Sequence, residues 1–155
     1  MWFRKEPTNY NVNVLKGVNH QIFRRNAHFF PYFSKYMGNH NEFGRLGEEV
    51  AENFLIQKGY KILQKNYYYA KAEVDIVAQK GDILAIVEVK SRSQGFVKDL
   101  NNLINPKKIK LLVKAADHYV QENNLDVEVR FDVITVIKTK SGFKVEHLED
   151  AFHHF

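Results

Sequence analysis

The chain of 155 residues contains no cysteine. A disulfide framework and thiolate metal sites are therefore excluded, and a reducing compartment, the cytoplasm, is the expected location. No apolar run approaches the length of a membrane span, so no membrane partner is expected. Internal repeats and low-complexity tracts are absent as well, and the length argues for one domain. Acids are scarce at one end only. Residues 1–36 hold six Lys/Arg against the single acid Glu6, while the rest of the chain holds 17 of each. The formal charge of +5 thus sits entirely in the N-terminal quarter, and any basic surface elsewhere must be local.

What is present is ordinary for a soluble protein: 45% hydrophobic and 26% charged residues, enough to bury one core. Residues 1–36 differ from this. They carry nine aromatics, from Trp2 to Tyr36, without helical or alternating period. They resemble a transit peptide weakly and lack the apolar stretch and cleavage site of a secretory signal. The expectation is an N-terminal extension, mostly disordered or loosely docked, or an artefact of the gene start with Met37 as the true beginning. A basic arm that tracks phosphates is the rival. Residues 37–155 are the expected folded domain.

From Asn41 the pattern is regular. Phe43, Leu46, Gly47, Val50, Ala51, Phe54 and Leu55 make one helical stripe, with Asn41 as N-cap and Gly59 as stop. "YKILQKNYYY" (60–69) is aromatic and β-branched, as strands are. Residues 73–79 and 83–90 read as a hairpin around Gly81-Asp82. "QGFVKDLNNL" reads as a loop. Asn105-Pro106 opens a second amphipathic helix through Ile109, Leu112, Val113, Ala116 and Val120. Strands at 127–137 and 143–148 complete the order αβββαββ.

The hairpin carries charges where a buried strand should not. A two-residue turn with glycine first fits type II′ and pairs Lys80 with Ile83. That register sets Asp75 opposite Glu88 and Glu73 opposite Lys90, all four on one side. Val74, Ile76, Val87 and Val89 then occupy the other. Opposed carboxylates repel unless a cation sits between them, and oxygen ligands suit Mg²⁺ or Mn²⁺. On the first helix Glu48 lies at the edge of the apolar stripe and could face the sheet as a third acid. The bland alternative is a solvated Glu73–Lys90 ion pair with Asp75 exposed at a strand end.

Asp75 followed by Glu88-Val89-Lys90 on the next strand resembles the PD-(D/E)XK nuclease core, whose fold has the same element order. The blocks "GRLGEEVAENFLIQKGYKILQKN", "AEVDIVAQKGDILAIVEVKSR", "NPKKIKLLVKAADHYV" and "RFDVITVI…HLEDAF" together resemble the YraN family of small bacterial proteins, over about residues 39–153. The resemblance implies an α/β, restriction-endonuclease-like fold with a central mixed sheet of about five strands flanked by helices. It implies nucleic-acid binding or metal-dependent cleavage and brings no settled substrate; DNA or structured nucleic acid is the expected partner, DNA ahead of RNA. Carried over, Glu48, Asp75, Glu88 and Lys90 take the catalytic positions, and Asp75, Glu88 and Glu48 hold the metal. Lys108 takes the position of the second-helix lysine. Ala72 stands where the family has glycine, and an arginine expected near Tyr68 is absent.

Around this core, Lys90, Arg92, Lys98, Lys107, Lys108, Lys110 and Lys114 form a basic run whose members either contact phosphates or solvate a helix face. Arg92, Lys107, Lys108 and Tyr68 are the candidate nucleic-acid contacts, Tyr68 through base stacking, although strand aromatics more often pack. A non-catalytic nucleic-acid-binding module, and a membrane-surface or partner-binding protein working through the aromatic, basic N-terminal segment, are the competing functions.

Overall fold

The computed structural model describes residues 8–11, 40–93, 104–140 and 142–152. Most of the 1–36 segment, and the 94–103 loop with Lys98, lie outside the described residues. In chain order the elements are β1 (Thr8–Asn11), α1 (His40–Gln57), β2 (Lys61–Tyr69), β3 (Ala72–Lys80), β4 (Ile83–Ser93), α2 (Pro106–Glu122), β5 (Glu128–Thr139) and β6 (Gly142–Leu148). The strands form one sheet in the order β1-β6-β5-β4-β3-β2. Among the described strands only β4 and β5 run parallel, and α2 makes the crossover that a parallel pair needs. From α1 onward this is the expected αβββαββ order of a restriction-endonuclease-like fold. The backbone of Thr8–Asn11 adds a short antiparallel strand to β6, which the sequence did not announce.

Local chemistry sets the ends of both helices. Gly59 takes φ +85°, and Tyr60 N donates to Leu55 O at 3.0 Å, closing α1 as a glycine stop should. Asn41, expected as the N-cap, is the second residue of α1. Asn105 does cap α2: its side chain accepts from Lys108 N at 2.8 Å, and Pro106 follows at the first helical position.

The sheet is covered on both sides, so its central strands are apolar on both faces. Ala51 and Leu55 of α1 pack with Tyr60, Ile76, Val87, Ile134 and Val136. Leu112, Ala115, Ala116 and Tyr119 of α2 pack with Tyr67, Val74, Val77, Ile86 and Phe131.

α1 lies close against the sheet at Gly47. A Cβ built there would meet Ser91 Oγ at 1.9 Å and Ser91 Cβ at 3.2 Å. Turning the hydroxyl relieves the first contact but not the second. Gly47→Ala is therefore expected to cost about 1–3 kcal/mol through overpacking. Gly44, one turn earlier, has nothing within 4 Å. Gly44→Ala should gain about 0.5–1 kcal/mol from helix propensity. Chemical denaturation of both variants checks the pair; equal effects would mean the contact at Gly47 yields freely.

Candidate active site

The β3–β4 turn behaves as its sequence suggests. Gly81 has φ +59°, and the paired stretch runs from Lys80–Ile83 to Ile76–Val87 in the expected register. There the ladder stops, one pair short of Asp75 and Glu88. Instead, Asp75 Oδ2 accepts a hydrogen bond from Val89 N at 2.6 Å, taking the place of a backbone carbonyl.

A second irregularity explains the first. Asn66 of β2 has φ +48°, a left-handed backbone inside a strand, and the β2–β3 pairing passes from Lys65–Ile76 to Tyr67–Val74 without a pair at Asn66 and Asp75. The alternation of sides is reset at this point. Ile76 belongs to the α1 core, whereas Val74 and Ala72 belong to the α2 core. This corrects the expectation that Glu73, Asp75, Glu88 and Lys90 share one side with Val74 and Ile76 on the other. Glu73 is exposed and accepts from the Tyr68 hydroxyl at 2.5 Å. Lys90 pairs with Glu88 rather than with Glu73.

Glu88 is the most unusual residue of the sheet. It lies in the central strand, 2% exposed. Its Oε1 accepts from Lys90 Nζ and, at 2.6 Å, from Lys108 Nζ. Its Oε2 is buried with no hydrogen-bond partner among the described residues. Lys108, given the second-helix lysine position and a phosphate contact in the sequence, reaches the carboxylate from the first turn that Asn105 anchors.

A cleft of about 260 Å³ joins these groups. Phe43, Gly44 and Glu48 of α1 line it, together with Asp75 and the run Glu88 to Arg92. Burial, and then the charge of Glu88, push the Asp75 carboxyl up to about 7. Burial, and then Glu73, raise Glu48 as well. Acids displaced upward in a cleft mark sites where a cation or a proton is wanted.

The donor chemistry fits a hard cation: two carboxylates, one of them with an unpartnered buried oxygen. Among the described residues no three carboxylate or imidazole groups converge into a full cage, so Glu48 lines the cleft without completing one. Two carboxylates plus water and phosphate is the set that Mg²⁺ accepts. Arg92 lines the same cleft, its Nη1 donating to Ser91 O at 2.9 Å, while Lys107 is exposed on α2 and Tyr68 is 65% exposed on β2.

Sequence reasoning gave no weight to Arg130 or His147. Both bond Asp132, which is wholly buried beside Val87 of β4. The signal was Arg130 and Asp132 two apart in a strand whose middle is otherwise mostly apolar.

The sequence profile of the family described as "Uncharacterised protein family UPF0102" matches residues 47–136. The chain belongs to this family. The matched span includes Glu48, Asp75, Glu88, Lys90 and Lys108, and the YraN resemblance read from the sequence blocks stands as membership. A UPF0102 protein of Christiangramia forsetii is 52% identical over 119 residues, 77% of this chain and 100% of the relative. Its counterpart in Flavobacterium psychrophilum is 51% identical over the same shares, and that of Parabacteroides distasonis 44% over 76% of this chain and 97% of the relative. Among the described residues of this UPF0102 member no helix is long and apolar enough to cross a membrane.

Proposed function

We propose that the protein is a metal-dependent nuclease that hydrolyses phosphodiester bonds of DNA or structured nucleic acid. One observation carries the reading: Glu88, buried in the central strand, shares a cleft with Asp75 and keeps Oε2 unbonded while two lysines hold Oε1. An unsatisfied buried acceptor costs about 1–3 kcal/mol, so this oxygen favours a partner that the described side chains do not supply.

Asp75 and Glu88 would hold Mg²⁺ or Mn²⁺, with Glu48 lining the cleft beside them. When bound, the cation neutralises phosphate charge and acidifies water. Lys90, anchored on Glu88, stabilises negative charge developing on the phosphoryl oxygens. Lys90 and Lys108 also offset the two carboxylates, so an incoming phosphate is not repelled. Arg92 and the exposed Lys107 extend the positive charge along a strand of any sequence.

The test is incubation with branched, single-stranded and duplex substrates in Mg²⁺, Mn²⁺ or EDTA. Cleavage in either metal and none in EDTA is expected. Binding without cleavage would make the protein a nucleic-acid-binding module; neither binding nor cleavage would overturn the reading.

Lys90→Ala separates chemistry from binding. Turnover is expected to fall about 10²–10³-fold, with nucleic-acid affinity nearly intact. Retained turnover with a salt slope reduced by about one unit would make Lys90 a phosphate contact instead.

A further inference from the structure

The run Tyr67-Tyr68-Tyr69 is divided by the fold. Tyr67 is 6% exposed, packs edge-on against Tyr119 at 5.1 Å and bonds His118 Nδ1 at 2.7 Å. Tyr69 stacks on His118 at 3.8 Å. The α2 core thus accounts for two of the three rings. Tyr68 points away from it and stays 65% exposed; among the described residues Ile56 is the other large apolar side chain left so open.

Tyr68 is held in place nonetheless. It pairs across the strands with Glu73, and its hydroxyl donates to Glu73 Oε1 at 2.5 Å. The hydrogen bond to Glu73 raises the phenol above its usual range, and the charges of Glu48 and Asp75 act in the same direction. The ring is an uncharged aromatic face outside the cleft lining, held by Glu73 two residues before Asp75, which does line the cleft. Asn66, which resets the sides of β2 and β3, lies two residues before it. Among the described residues β2 is also the last strand of the sheet on that side.

We infer that Tyr68 is a stacking platform for an unpaired base of the strand held in the cleft, which makes single-stranded or frayed nucleic acid the preferred substrate. The inference rests on the nucleic-acid reading above. An aromatic face accepts any base, but only a base whose own faces are uncovered. In a duplex each base is already stacked on its neighbours, and pulling one out costs free energy. The bond to Glu73 fixes the ring before binding, so little ordering is lost when a base arrives.

Fluorescence anisotropy of the full chain with labelled oligo-dT and with a blunt duplex, both in EDTA to prevent cleavage, tests this. Tyr68→Ala is expected to weaken oligo-dT binding about five- to 150-fold and to leave duplex binding unchanged. Tyr68→Phe, which keeps the ring, should bind oligo-dT almost as the parent does. Circular dichroism melting confirms that each variant folds, as expected for an exposed side chain. Equal losses on both ligands, no loss on oligo-dT, or a Phe variant as weak as the Ala variant would each overturn the platform and leave the nuclease reading standing. A parent protein that binds neither ligand would overturn both.

Discussion

Asp75→Asn is expected to abolish Mn²⁺ binding and turnover together while making the metal-free protein more stable. The two halves have one cause. Asp75 sits where the β3–β4 ladder ends, pressed toward its neutral form by burial and by Glu88. Without a cation, an ionised carboxylate there is a liability to the fold, and only a function explains keeping it. Asparagine preserves the shape and retains an acceptor for Val89 N, so the local backbone should hold. It removes the charge that repels Glu88 and that a divalent ion requires. The melting temperature should rise by roughly 2–4 °C for each kcal/mol relieved. Calorimetric titration with Mn²⁺ and thermal melting in EDTA measure the two halves. Unchanged Mn²⁺ binding would sink the site. Lost binding with a lowered melting temperature would mean that Asp75 is structural and that the metal signal failed because the cleft collapsed.

Much of this arrangement is legible in the sequence because short-range chemistry decides it. Gly81-Asp82 selects a turn, the turn selects the register, and the register brings Asp75 toward Glu88. Asn105-Pro106 announces α2 for reasons contained in two residues. The reset at Asn66 is not legible. An asparagine within "KILQKNYYY" shows no sign that it will adopt φ +48°, and one such residue moves Val74 to the other core. The partner of Lys108 is not legible for a related reason. Its long side chain can reach solvent or the sheet, and only the packing of α2 decides that it ends on Glu88. His147 and Asp132 lie on adjacent strands fifteen residues apart, so no local motif joins them.

That last pair belongs to a network from which the second large effect is expected: Asp132→Ala should destabilise the protein by about 3–5 kcal/mol. Asp132 is 0% exposed. Its Oδ1 accepts from Arg130 Nε at 2.8 Å and from Asp150 N at 3.0 Å. Its Oδ2 accepts from Arg130 Nη2 at 2.8 Å and meets His147 Nε2 at 2.9 Å. An imidazole protonated on Nε2 donates to Asp132 and leaves Nδ1 to accept from Lys58 Nζ, 3.1 Å away. The carboxylate therefore ties together the end of α1, β5 beside Val87 of β4, and the chain leaving β6. The network thus holds the end of the helix that carries Glu48, and Asp132 itself lies in the strand that pairs with the one carrying Glu88. Burial alone would raise the Asp132 carboxyl, but hydrogen bonds from His147 and Arg130 outweigh it and hold the group below its ordinary value of 3.8. A folded-state value below the unfolded one stabilises the protein above the ordinary carboxylate range, and that contribution is lost as pH falls through the folded value. The gap between Asp132→Ala and the parent should accordingly be widest near neutral pH and narrow below about pH 4. Denaturant melts across this range measure it. Replacing Arg130 and Asp132 together by apolar residues should cost less than Asp132→Ala alone, since the single change strands a guanidinium that is mostly buried. A single-variant loss within about 1 kcal/mol, independent of pH, would show that the network only decorates a fold held by its two apolar layers.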